Sequence, residues 1–197
     1  IFDKCEELYF DKEIKMPTIY PGYTQEQKNA ELSKHLVKKW NDEKKHIDKS
    51  RWNEYQQGIA YEYKIVKDTN MADYFLFNEK MVDLAKTKYG GVLSRTGRGS
   101  AVSFYINKLL GLTDIDRLDA PITLYPTRFM STTRILQTRS LPDIDLNWAN
   151  TDAPLQATKD ILGEDNVYFM VACKGLQDSS AFRLWCKAIG MDINEYN

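Results

Sequence analysis

The first half of the chain carries apolar residues at the three- and four-residue spacing of amphipathic helices. A capping box at Thr24 and Gln27 marks the start of the first helix, whose apolar stripe is Leu32, Leu36, Val37 and Trp40. Ser50 is a suitable cap for the second helix, and a third is predicted over 72–87. The stripe of the second helix is rich in aromatic residues, which could stack nucleobases but at this spacing are more typical of a core: Trp52, Tyr55, Ile59, Tyr63 and Val66.

The second half mixes helical spacing with short extended segments. Residues 92–93 and 167–172 are apolar strand candidates, and helices are predicted over 101–110, 154–162 and 178–189. Residues 141–148 alternate with period two, so a strand would place Asp143, Asp145 and Asn147 on one face and Ile144, Leu146 and Trp148 on the other. These patterns predict an α+β (mixed α/β) fold.

Length and composition limit the size of that fold. With 197 residues, 43% of them apolar, the chain can bury one good core or two small ones. Its longest apolar run, 167–173, is far shorter than the roughly 18 residues of a transmembrane helix. Because the chain starts at Ile1 and ends just after Asp192 could cap another helix, we expect it to be part of a longer protein.

Cysteine and histidine residues give little support for a metal or redox centre. Cys5, Cys173 and Cys186 are widely spaced and include no Cys-x-x-Cys pair, which is typical of reduced thiols in a cytoplasmic protein. His35 and His46 are eleven residues apart, close to three helical turns. They could form a two-histidine metal site, but without a third ligand nearby a solvated helix face is favoured.

Positive charge is concentrated in one window of a chain whose net charge is −1. Residues 86–140 contain three acidic side chains, Asp114, Asp116 and Asp119. The basic side chains of this window are Lys86, Lys88, Arg95, Arg98, Lys108, Arg117, Arg128, Arg134 and Arg139. Because the planar guanidinium group suits phosphate oxygens, the window is a candidate phosphate-binding region; the alternative is a solvated surface.

Two motifs point to phosphate chemistry. Gly97–Ser100 (Gly-Arg-Gly-Ser) precedes a predicted helix, where glycines permit close approach, backbone amides favour an anion and Arg98 adds positive charge. Asp143 and Asp145, at i and i+2 of a strand, could bridge two divalent ions, and an all-oxygen ligand set selects Mg²⁺ over zinc. An isolated pair of aspartates more often lies on the solvent-exposed face of a strand and binds no metal. The two motifs together nevertheless predict phosphoryl or nucleotidyl transfer.

Three stretches, in order along the chain, resemble the catalytic α subunit of bacterial DNA polymerase III, the C-family replicative polymerases. Residues 71–76 resemble its Tyr-Phe-Leu segment, 97–116 its Gly-Arg-Gly-Ser motif with the sequence that follows, and 128–146 the segment that ends in Pro-Asp-Ile-Asp. The chain departs from the family pattern at Arg95, Thr96, Val102 and Asn147.

The resemblance implies a polymerase-β-like nucleotidyltransferase palm with flanking helices and the start of a helical thumb. Residues 1–50 would be a linker and helix leading into the palm, 51–150 the palm and 151–197 the start of the thumb. The implied site residues are Arg98, Gly99, Ser100 and Ser103 for the nucleotide triphosphate, Asp143 and Asp145 for catalysis and for two Mg²⁺ (or Mn²⁺) ions, and Arg128, Arg134 and Arg139 for DNA.

The implied function is template-directed addition of deoxynucleotides to a primer 3′ end by two-metal nucleotidyl transfer. The expected partners are primer–template DNA, a dNTP, the remaining domains of the polymerase and a sliding clamp. No membrane association is expected, and the expected location is the cytoplasm, for a polymerase of bacterial or phage origin. Because the family's third catalytic aspartate lies downstream, we expect this chain alone to be inactive. Two alternatives stay open: a non-catalytic nucleic-acid-binding or scaffolding domain that keeps the fold, and a small stand-alone nucleotidyltransferase whose third carboxylate would be Asp165 or Asp178.

Overall fold

The structure, a computed structural model, describes residues 16–94, 97–170 and 175–196. The chain divides into two compact units, Ile1–Val167 and Tyr168–Asn197. The helices of the first unit are α1 (Gln25–Glu43), α2 (Trp52–Asp68), α3 (Ala72–Thr87), α4 (Tyr105–Leu109), α5 (Thr132–Thr138) and α6 (Asp152–Leu162). The second unit contains α7 (Asp178–Ala188) and α8 (Ile193–Tyr196).

The start of α1 confirms the capping box. The Thr24 hydroxyl accepts a hydrogen bond from the Gln27 amide at 3.3 Å, and the Gln27 side chain accepts one from the Thr24 amide at 2.8 Å. Leu32, Leu36 and Trp40 are buried as predicted, whereas Val37 is 56% exposed because it lies beside the stripe and not on it.

The start of α2 differs from the prediction. The cap is Asp48 and not Ser50. The Asp48 carboxylate accepts a hydrogen bond from the Ser50 amide at 2.8 Å, and so caps a 3₁₀ turn, Lys49–Arg51, that continues into α2. The core interpretation of the aromatic stripe is confirmed. Tyr55 and Val66 are fully buried, and the other members pack partly buried against the core: Trp52, Ile59 and Tyr63.

The core of the first unit lies between α3 and the helices around it. α3 packs against α1 and α6, and α4 packs against α1 and α2. Phe75 of α3 stacks with Phe104 at 5.9 Å between ring centroids, and Phe129 closes the cluster at 5.2 Å from Phe104. All three rings are fully buried. The loop that carries the glycine motif is therefore attached on its C-terminal side to the centre of the core.

The predicted α+β palm fold is wrong. About 60% of the described residues are helical when α-helices and 3₁₀ turns are counted together. Across the described residues, extended backbone pairs only at an isolated antiparallel bridge between Leu93 and Trp148. Residues 141–148 do alternate between the core and solvent, but their apolar side chains pack against the helical core and not within a sheet. A period-two pattern determines which side chains are buried, whereas a strand also needs a second extended segment beside it.

Two further elements differ from expectation. The helix predicted over 101–110 is a 3₁₀ turn, Ala101–Ser103, and the short helix α4, separated by an extended residue at Phe104. Residues 167–170 of the second predicted strand form no strand pairing with the described residues, and Tyr168, Phe169 and Met170 are at least 77% exposed. Residues 171 and 172 of that strand lie outside the described part of the chain.

The second unit confirms the last predicted helix. α7 begins at Asp178, and the Asp192 carboxylate accepts a hydrogen bond from the Asn194 amide at 2.8 Å before α8. Cys186 is a free, buried thiol, whereas Cys5 and Cys173 lie outside the described residues. Among the helices described, none is both long and apolar enough to cross a membrane.

Candidate functional site

The two aspartates of the extended segment lie on its solvent face. Asp143 and Asp145 are exposed, while Ile144 and Leu146 between and after them pack against the core. Neither carboxylate forms a hydrogen bond or an ion pair with the described part of the chain. Both aspartates therefore keep free oxygen atoms for an external cation.

The glycine motif lies directly against one of these carboxylates. A Cβ atom built on Gly99 would be 2.2 Å from Asp145 Oδ2 and 3.3 Å from its Cγ. Gly99 also has φ +67°, a left-handed conformation that favours glycine. The fold thus brings the predicted phosphate-binding motif and the predicted metal-binding motif together at one point.

The rest of the glycine motif forms a tight turn that packs against the residues following it. A Cβ built on Gly97 would lie 2.2 Å from Val102 Cγ1, so there is no room for a side chain at residue 97. The buried Ser103 hydroxyl donates to the Ser100 carbonyl at 2.6 Å. The amides of Gly99 and Ser100 donate to no acceptor within residues 16–94, 97–170 and 175–196.

Glu62 is a functional candidate that the sequence reasoning missed. It is fully buried, and its carboxylate accepts hydrogen bonds from the Tyr105 amide at 2.9 Å and the Ile106 amide at 2.8 Å. Arg117 Nε donates to the same carboxylate. Burial raises the pKa of Glu62, against the opposing effects of Arg117 and the two amides. The signal in the sequence was a carboxylate at helical spacing from Ile59 and Val66, on the apolar face of α2.

Tyr74 is a second residue without a predicted role. Its hydroxyl donates to the Pro142 carbonyl at 2.7 Å, next to Asp143. Burial, and then the negative charge of Asp143, raise the pKa of the Tyr74 hydroxyl, while the Ile144 amide lowers it. The hydroxyl therefore contacts the backbone next to Asp143 and stays protonated near neutral pH.

Several basic side chains of the window form ion pairs within the first unit. Arg117 pairs with Glu62, Lys108 with Glu43, and Lys88 with Asp160 at 2.6 Å. The arginines predicted to bind phosphate or DNA are instead exposed and form no ion pair with the described residues: Arg98, Arg128, Arg134 and Arg139. Arg134 is held near Arg128, since its Nη1 donates to the Arg128 carbonyl at 3.3 Å. Arg95 lies outside the described residues.

The structure offers few other metal ligands. Within the described part of the chain, no group of three histidine, cysteine, aspartate or glutamate side chains is arranged to hold a metal ion. His35 Nδ1 lies 2.6 Å from the Glu79 carboxylate, and His46 is exposed. Asp165 lies in the 3₁₀ turn Glu164–Asn166, and Asp178 begins α7. An all-oxygen cation site on Asp143 and Asp145 would therefore need further oxygen ligands from water or from a bound phosphate.

Comparison with known proteins identifies the family. A model described as the bacterial DNA polymerase III alpha NTPase domain matches residues 29–197. The chain belongs to the DNA polymerase III α family. This confirms the resemblance seen in the three sequence stretches and makes the chain a DNA polymerase family domain.

Curated DNA polymerase III α relatives match the chain over a small part of their own length. DNA polymerase III subunit alpha of Staphylococcus epidermidis is 30% identical over 145 residues, which are 73% of this chain and 13% of that protein. The Campylobacter jejuni protein of the same name is 34% identical over 114 residues, 57% of this chain and 9% of its own. The Staphylococcus aureus protein is 29% identical over 140 residues, 70% and 12% respectively.

Proposed function

We propose that this chain carries the surface of a DNA polymerase on which a deoxynucleotide is joined to a primer 3′ end. The observation that carries the proposal is the approach of Gly99 to Asp145, because the turn predicted to bind phosphate lies there against a carboxylate predicted to bind a cation. Nucleotidyl transfer needs this pairing, since the triphosphate and the cations that neutralise it must meet at one point.

On the nucleotide side, the unpaired amides of Gly99 and Ser100 would donate to phosphate oxygens. Arg98 is exposed beside them and adds a positive charge. Ser103 would act through the turn, because its hydroxyl holds the Ser100 carbonyl and so fixes the backbone that carries the two amides. These residues orient the triphosphate.

On the cation side, the donor set fits a hard divalent metal. Asp143 and Asp145 have only oxygen donors, lie on one solvent face and are free of competing partners among the described residues. They would hold Mg²⁺ or Mn²⁺. When bound, such ions lower the pKa of an attacking hydroxyl and neutralise the leaving pyrophosphate.

The proposed partners are primer–template DNA, a dNTP, further domains of the polymerase and a sliding clamp. DNA would lie along Arg128, Arg134 and Arg139, whose guanidinium groups are exposed and unpaired within the described residues. Contacts of this type neutralise backbone phosphates and carry little sequence information.

Replacing Asp145 with asparagine should weaken Mn²⁺ binding by this chain roughly tenfold, because the change keeps the shape of the side chain and removes its charge. Free Mn²⁺ is counted by electron paramagnetic resonance during a titration at millimolar metal. Asp165→Asn, at an exposed carboxylate away from the glycine turn, serves as the control and should bind as the unaltered chain does. Equal binding by both variants would refute the cation site.

Replacing Arg128, Arg134 and Arg139 together with alanine should lower both the affinity for duplex DNA and the salt dependence of that affinity. The slope of the logarithm of the binding constant against the logarithm of the salt concentration should become shallower by about one for each phosphate that is no longer neutralised. Fluorescence anisotropy at several salt concentrations measures both. The matched control removes three exposed lysines from α1, α2 and α3: Lys38, Lys67 and Lys80. If the two triple variants are weakened equally, net charge and not this surface binds DNA.

A further inference from the structure

The position of Asp143 depends on few backbone contacts. Its segment is fixed at one end by the bridge to Leu93, where the Ser94 amide donates to the Asn147 carbonyl at 2.8 Å and the Ala149 amide to the Val92 carbonyl at 2.9 Å. Between residues 141 and 146 no backbone-to-backbone hydrogen bond is formed with the described part of the chain. Within the described residues, the main chain on either side of Asp143 therefore forms no ladder with a neighbouring segment.

Tyr74 supplies a contact from a side chain. Its hydroxyl donates to the Pro142 carbonyl at 2.7 Å, one residue before Asp143. This hydrogen bond holds the peptide group that joins Pro142 to Asp143.

The support itself is rigid. Tyr74 lies in the first turn of α3, next to Phe75, which is fully buried and contacts the Tyr74 ring edge-on at 5.5 Å between centroids. On the other side, Asp73 is tied to Lys28 at 2.6 Å and to the Thr18 hydroxyl at 2.8 Å. Ligands held through a packed helix are placed more accurately than ligands held by a loop.

We propose that Tyr74 is a positioning residue that sets the direction of the Asp143 carboxylate toward the cation. This rests on the proposed function. Tyr74 does not touch the cation; it acts by fixing the Pro142 peptide group, and through it the backbone from which Asp143 projects.

The test compares two tyrosine-to-phenylalanine variants of the full chain. Tyr74→Phe removes only the hydroxyl in question. Tyr63→Phe is the matched control, since the Tyr63 hydroxyl also donates to a backbone carbonyl, that of Asn29, at 2.7 Å, and is also part-buried, but joins α2 to α1. Each variant removes one hydrogen bond of the same type, so their thermal midpoints should fall by similar amounts.

The readout is Mn²⁺ binding, followed by electron paramagnetic resonance without nucleotide or DNA. Tyr74→Phe should weaken binding roughly three- to tenfold, at or below the low end of the range for groups that orient metal ligands, while Tyr63→Phe should leave it unchanged. Combining Tyr74→Phe with Asp143→Asn should weaken binding no further than Asp143→Asn alone, because the hydroxyl acts only through that carboxylate.

The outcomes separate this inference from the proposed function. If Asp145→Asn weakens Mn²⁺ binding but the two phenylalanine variants bind equally, the cation site stands and the role of Tyr74 is refuted. If the unaltered chain binds no Mn²⁺, or if Asp143→Asn and Asp145→Asn change nothing, both proposals are overturned.

Discussion

Gly99→Ala is expected to weaken binding of dATP in the presence of Mn²⁺ by roughly 30- to 100-fold, equivalent to about 2–3 kcal/mol. The new Cβ would lie 2.2 Å from Asp145 Oδ2, far inside contact distance, so the carboxylate or the turn must move. Either movement would separate the amides proposed to bind the triphosphate from the oxygen proposed to bind the cation. Isothermal titration calorimetry with dATP and Mn²⁺ measures the change in affinity.

Gly90→Ala is the matched control for Gly99→Ala. Gly90 also has a positive φ, +62°, but a Cβ built on it meets no atom within 4 Å. Both alanines therefore add backbone strain of about 1–2 kcal/mol, whereas only the one at residue 99 meets Asp145. Comparable nucleotide binding by the two variants would mean that the approach of Gly99 to Asp145 has no part in the site.

Glu62→Ala is expected to lower the free energy of unfolding of the first unit by about 3–5 kcal/mol, because it leaves Arg117 without its buried partner and two amides without an acceptor. The Arg117 side chain is 10% exposed, so water cannot readily replace the carboxylate. Differential scanning calorimetry should show the midpoint of unfolding lower by roughly 10 °C or more.

The appropriate control is a carboxylate in a surface ion pair. Glu54 pairs with Arg51 at 3.0 Å and is exposed, so Glu54→Ala should leave the midpoint nearly unchanged. A small effect of Glu62→Ala, similar to that of Glu54→Ala, would show that α4 and the loop containing Arg117 are held by apolar packing alone.

The helices were largely predictable because the information that specifies them is local. The capping box at Thr24 and the apolar stripe of α2 each act within a few residues of the chain, so spacing was enough to find them. The exception at the start of α2 has the same origin: Asp48 and Ser50 are both good caps two residues apart, and only the backbone conformation decides between them.

The alternation of exposed and buried residues from Asp143 to Trp148 was predictable, but the segments that pack against its buried face were not. Period two determined that the aspartates face solvent while Ile144 and Leu146 face the core, as the structure shows. Whether that core face meets a sheet or a set of helices depends on segments far away in the sequence. Here α3 and the other helices cover it, so the predicted sheet does not form among the described residues.

Local pattern therefore determined the helices of this protein, the two chemical motifs and the direction in which the aspartates face. The tertiary structure decided which distant residues come into contact. Gly99 lies against Asp145, the Tyr74 hydroxyl donates to the Pro142 carbonyl next to Asp143, and the Glu62 carboxylate accepts a hydrogen bond from the first amide of α4. Each of these pairs is distant along the chain. Caps and periodicity act through hydrogen bonds and burial between near neighbours, whereas such contacts exist only once the packing of α2, α3 and α4 has set the distances between them.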